Sequence, residues 1–133
     1  MNDRSRAWGW SWIGLVVAFM IHVADEIASD APSFYNPFLR EVAGWELRWD
    51  VWLIVLSLLV IALASLTVFL FRGVKALRYP VYAIATLMIL NSLQHVALLV
   101  SLRRITPGTR SAPLLLAASV WVLRETRRVF ARG

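Results

Sequence analysis

From Val51 to Phe71 the chain runs without one charged side chain, and no polar stripe interrupts it. A helix hydrophobic all round cannot sit on the surface of a water-soluble domain. A run of this kind matches the ~20 residues that a bilayer's hydrocarbon slab demands. Three further stretches follow the same rule to differing degrees. The sequence therefore reads as an all-α, polytopic membrane protein, a single integral domain over 1–133, with four spans at about 8–28, 50–71, 79–102 and 107–129. The fourth has the shortest clean core, Ala112 to Leu123, before Arg124-Glu125-Thr126-Arg127-Arg128. It is expected to tilt, or to let its arginines snorkel.

The mean hydropathy of +0.66 agrees with this class. A net charge of +6 would suggest nucleic acid in a soluble protein. Here the basic residues cluster at the ends of apolar runs, where topology and anionic headgroups account for them, so nucleic-acid binding is discounted. Cysteine is absent, which excludes disulfides, thiolate metal sites and cysteine nucleophiles. Counting Lys and Arg, the bias places Arg4, Arg6, Arg72, Lys75, Arg78, Arg124, Arg127, Arg128 and Arg132 on one side. Arg40, Arg48, Arg103, Arg104 and Arg110 fall on the other. Both termini are then expected on the cytoplasmic face of a cell's inner membrane. The first run is expected to be retained as a span rather than cleaved as a signal peptide, since Pro32 follows the only small-residue cleavage pattern. Trp8, Trp10, Trp12, Trp45, Trp49 and Trp52 lie near predicted run ends, as an interfacial belt would. Phe34, Phe38, Val42, Trp45 and Trp49 recur at three- and four-residue intervals. That spacing predicts a helix lying in the interface between the first two spans, with an irregular loop as the alternative.

Two of the apolar runs carry groups that a spanning helix normally avoids: His22-Val-Ala-Asp25-Glu26 and Asn91-Ser-Leu-Gln94-His95. Ionisable residues at such positions mark functional sites with partners nearby. Helical spacing puts His22, Asp25 and Glu26 on one face, and Asn91 and His95 on another. At 1.5 Å per residue, His22 lies about 21 Å from Trp8, while Asn91 and His95 lie about 18 and 24 Å from Tyr79. With both helices running the same way, the clusters share a depth.

His22, Asp25, Glu26 and His95 are suitable ligands for a divalent ion such as zinc, iron or manganese. Without a metal the same residues make an acid–base pair, with Asn91 as a donor to a substrate oxygen or as an orienting group. A purely structural reading stands beside these: a His22–Glu26 hydrogen bond within one helix, and Asn91 and His95 as interhelical glue. Pro107-Gly108 predicts a tight turn with Pro first and Gly where φ must be positive. Arg103 and Arg104 beside it are read mainly as part of that loop. Their alternative role is a substrate mouth that meets a phosphate or carboxylate.

The order His-x-x-Asp-Glu, Asn-x-x-x-His and then Pro-Gly before the last run resembles the HXXEE-domain family of small bacterial integral membrane proteins. The likeness extends from His22 to about Ala118. Residue by residue it picks out His22, Asp25, Glu26, Asn91, His95, Pro107 and Gly108, with Asp25 standing where the family motif has Glu. The resemblance implies architecture and site, not a reaction. The sequence-level expectation is a membrane-embedded enzyme, metal-dependent or acid–base, acting on a lipid-like molecule. His22, Glu26 and His95 form its core, with Asp25 and Asn91 in support. A small proton-coupled, dimeric carrier using Glu26 and a non-catalytic accessory subunit are the alternatives, and a homodimer is compatible with each.

Overall fold

The computed structural model describes residues 3–131. Among these residues are five α-helices: α1 (Asp3–Ala28), α2 (Ala31–Ala43), α3 (Trp49–Phe71), α4 (Arg78–Leu102) and α5 (Ala112–Phe130). A single 3-10 turn, Lys75–Leu77, leads into α4. Among the described residues there is no strand. Arg132, one of the residues counted in the basic bias, lies outside them.

Among the described residues three helices are long and apolar enough to cross a bilayer: α1, α3, and α4 together with its leading turn. The expected fourth span is not confirmed. Residues 107–111 form a turn, so of the two starts the sequence allows, Pro107 and Ala112, α5 takes Ala112 and has only 19 residues. Its last two turns carry Arg124, Glu125, Arg127 and Arg128, which lowers its hydropathy further.

The periodicity between the first two runs does produce a helix, α2, but a shorter one than the stripe suggested. Gly44 adopts φ +70° and its N–H caps Arg40 O, which ends the helix before Trp45. The chain then doubles back. The Asn36 amide holds the backbone of Leu47 from both sides, accepting its N–H at 2.7 Å and donating to its carbonyl at 3.2 Å.

α1 lies between α3 and α5, and α5 packs on α4 as well. Indole N–H groups fix two of these contacts. Trp12 Nε1 donates to Leu63 O of α3 at 2.8 Å, and Trp8 Nε1 donates to Thr126 Oγ1 of α5 at 2.9 Å. Both tryptophans are fully buried, which corrects their expected place in an interfacial belt. They stand four residues apart on the inward face of α1, where each ring fills core volume and each N–H has an acceptor. Trp10, Trp45 and Trp49 are exposed.

α5 runs antiparallel to both α1 and α4. Its first turn meets Asp25 at the end of α1, while its last turn carries Thr126 against Trp8 and Phe130 beneath the Arg78 guanidinium. α1 and α4 are therefore parallel, and the C-terminal halves of both, where the two polar clusters lie, point to the same end of the molecule.

Candidate functional site

At that end the two polar clusters meet. His22 and His95 are each 1% exposed, with ring centroids 4.8 Å apart and planes at 70°. Glu26 extends one helical turn beyond His22 and places Oε1 between them, 3.6 Å from Nε2 of His22 and 3.6 Å from Nε2 of His95. The shared helix face read from the sequence thus becomes a three-residue cluster across two helices. One ligand atom from each of His22, Glu26 and His95 lies within 4.8 Å of the other two, a set that could hold a metal ion. Ligands at 2.0–2.2 Å around a tetrahedral ion are separated by about 3.3–3.6 Å, so both carboxylate–imidazole spacings match such an ion.

The two imidazoles have different surroundings. His22 is held at both nitrogens: Nδ1 is 2.9 Å from Ser111 Oγ, and Nε2 is 2.9 Å from Asn91 Nδ2. Among the described residues neither buried nitrogen of His95 has a well-formed hydrogen bond: its polar neighbours are the Pro107 backbone and Glu26 Oε1, which is 3.6 Å from Nε2. A buried imidazole without a well-formed hydrogen bond is uncommon and calls for a physical reason, and a cation beside Glu26 would supply one.

Asp25 and Glu26 divide their work. Asp25 does not join the ring cluster. Its Oδ2 accepts the Ser111 backbone N–H at 3.1 Å and the Ser111 hydroxyl at 2.9 Å, at the start of α5. Adjacent helix positions are 100° apart, so two neighbouring carboxylates on one broad face reach different helices. Asn91 enters the site through His22, as its spacing from His95 predicted.

The Pro-Gly turn is not a free surface loop. Thr109 N donates to Thr106 O at 3.1 Å across Pro107 and Gly108, and Gly108 has φ +78°. This is the turn chemistry expected from the sequence. The Thr106 and Thr109 hydroxyls bond each other at 2.7 Å, and the segment 106–109 is buried. Gly108 lies directly on the histidines: a Cβ there would sit 2.6 Å from His95 Cε1 and 2.7 Å from His22 Cε1. Arg103 and Arg104, by contrast, are exposed, and the Arg104 guanidinium stacks 5.6 Å from the Phe34 ring of α2.

Two residues near the site gave no signal in the sequence reading. Ser111 stands at the N-cap of α5, next to a Pro-containing first turn. That is a helix-start signature, but it does not reveal that the hydroxyl faces a histidine from α1. Tyr35 of α2 is half-buried, and its phenol is pushed up to about 12 by burial and by the nearby Glu26 carboxylate.

No curated protein and no solved structure matches the chain. A family model does, over residues 12–122, and its description is a protein of unknown function with an HXXEE motif. The chain belongs to this family.

Proposed function

We propose that this HXXEE-family chain is a membrane-embedded enzyme whose centre, His22, Glu26 and His95, binds one divalent metal ion and acts on a lipid-like substrate. The observation that carries the reading is the convergence of two imidazoles and one carboxylate from separate helices, with the His95 nitrogens buried and without a well-formed hydrogen bond among the described residues. Two nitrogens and one oxygen form the ligand set of catalytic zinc sites, which keep a further position for water or substrate. Iron and manganese accept the same donors. The ion would supply Lewis acidity or activate a bound water. Glu26, the most exposed of the three at 14%, serves as ligand and proton acceptor. An ion at His22 Nε2 would displace the Asn91 N–H that occupies that lone pair at 2.9 Å, which frees the amide to donate to a substrate oxygen. Arg103 and Arg104 line the approach on the α2 side, where an anionic headgroup would rest.

The lipid-like substrate is supported by the setting, since the helices carrying the centre are apolar enough to lie in a bilayer. The Lys and Arg bias supports an inner-membrane protein with both ends of the chain in the cytoplasm. Elemental analysis of protein purified in detergent without chelators tests the centre. The expected result is about one zinc, iron or manganese ion per chain, lost in His22→Ala and in His95→Ala. Metal-free wild-type protein, or variants that keep their metal, would refute the metal centre and leave the acid–base pair.

A further inference from the structure

We infer that Ser111, held by Asp25, is a positioning residue that sets the tautomer of His22, so that Nε2 carries a lone pair on the side of the centre, where Asn91 now donates to it. The inference rests on the proposed role of His22, but it follows from hydrogen-bond polarity and does not require the metal.

The chain of donors can be read from its far end. Asp25 Oδ2 receives the Ser111 backbone N–H at 3.1 Å, so it is an accepting oxygen. The Ser111 hydroxyl has one proton, and two acceptors lie within its reach: Asp25 Oδ2 at 2.9 Å and Gly108 O at 3.1 Å. With Asp25 a carboxylate, neither can return a proton to Oγ. The hydroxyl's lone pair is therefore what faces His22 Nδ1 at 2.9 Å, and Nδ1 must carry the hydrogen. A neutral imidazole protonated at Nδ1 is bare at Nε2, and that lone pair accepts the Asn91 amide N–H at 2.9 Å. Apart from the Ser111 hydroxyl proton, which Asp25 Oδ2 and Gly108 O share, every contact in the series then has one donor and one acceptor.

The opposite tautomer would set lone pair against lone pair at Ser111 and N–H against N–H at Asn91. No side chain holds His95 in the same way, and neither of its nitrogens has a well-formed hydrogen bond among the described residues. The backbone around Ser111 is itself tied down, with Ala112 N bonded to Gly108 O at 3.0 Å and Leu115 N to Ser111 O at 3.1 Å. Partners of this kind on the distal nitrogen of a ligating histidine orient the ring and raise its basicity.

The chain has two histidines, so nitrogen-15 NMR of histidine-labelled, chelator-treated protein in lipid nanodiscs reads them directly, with His95→Ala giving the assignment. His22 is expected as the Nδ1–H tautomer. In Ser111→Ala it should become a mixture, and Ser111→Thr should restore it. Zinc affinity should follow, falling about 10–100-fold in Ser111→Ala and recovering in Ser111→Thr. Asp25→Ala gives a second reading should Ser111→Ala fail to fold, because it removes the oxygen that takes the Ser111 hydroxyl proton and frees that proton for Nδ1. A wild-type His22 protonated at Nε2, or a tautomer indifferent to Ser111→Ala or Asp25→Ala, would overturn the inference. If wild-type protein binds no zinc, the metal centre fails while the tautomer still decides the role of Ser111.

Discussion

Replacing Gly108 with Ala tests whether the Pro-Gly turn is seated on the two histidines. The new methyl would lie 2.6 and 2.8 Å from His95 Cε1 and Nε2, and 2.7 Å from His22 Cε1, where ordinary contact begins at 3.4 Å. His22 cannot swing aside cheaply, since Ser111 and Asn91 hold both of its nitrogens. The turn must lift or the rings must part. A left-handed conformation costs a residue with a side chain about 1–2 kcal/mol. Overpacking a tight site adds about 1–3 kcal/mol. Together these predict a loss of roughly 2–5 kcal/mol, and weaker metal binding as the imidazoles separate. Gly44→Ala is the control. It has a similar φ of +70° with nothing within 4 Å of its new Cβ, so only the backbone cost of about 1–2 kcal/mol applies. Denaturant titrations of both variants in one membrane mimetic give the difference, and zinc titration gives the effect on the site. Equal losses for the two variants, with unchanged zinc affinity for Gly108→Ala, would refute the seating of the turn.

Glu26→Gln keeps the side-chain size but removes the carboxyl oxygen 3.6 Å from both Nε2 atoms. Chelator competition should show metal affinity falling by at least the ~10–100-fold that loss of an outer partner causes. Trp8→Phe keeps most of the ring and loses the bond to Thr126, whose hydroxyl still donates to Val122 O. Unfolding in detergent should show a cost of about 0.6–1.7 kcal/mol, against about 3–5 kcal/mol for Trp8→Ala. Tyr35 is expected to ionise near 12 rather than 10 in a spectrophotometric titration. A raised folded-state value means its contribution to stability is intact below the unfolded value of ~10 and is lost as pH climbs toward 12. Tyr35→Phe should remove that part of the alkaline destabilisation.

Much of the site was legible before any fold was known, because its signals are local. A histidine and a glutamate four residues apart share a helix face whatever the helix packs against. Charge inside apolar runs identified both clusters, and Pro107-Gly108 specified a turn with positive φ at its second central residue. The role of Asp25 was not legible. Its place beside Glu26 gave it the same ligand role, and only the position of α5 shows that Ser111 engages it. The belt assignment of Trp8 and Trp12 failed for a related reason. A tryptophan near a run end serves equally well at a headgroup layer or between helices, and the rotation of α1 about its axis chooses.

The sequence by itself determined the helical class, the apolar runs, and which polar residues each helix presents together. These depend on backbone periodicity and on the cost of exposing peptide groups to hydrocarbon, both properties of a short stretch of chain. The tertiary structure alone decided that α5 lies between α1 and α4, that the Thr106–Thr109 turn covers the imidazoles, and that Ser111 faces His22. Those relations depend on how each helix is rotated and crossed against its neighbours. Packing over the whole surface sets these angles, and no local pattern encodes them.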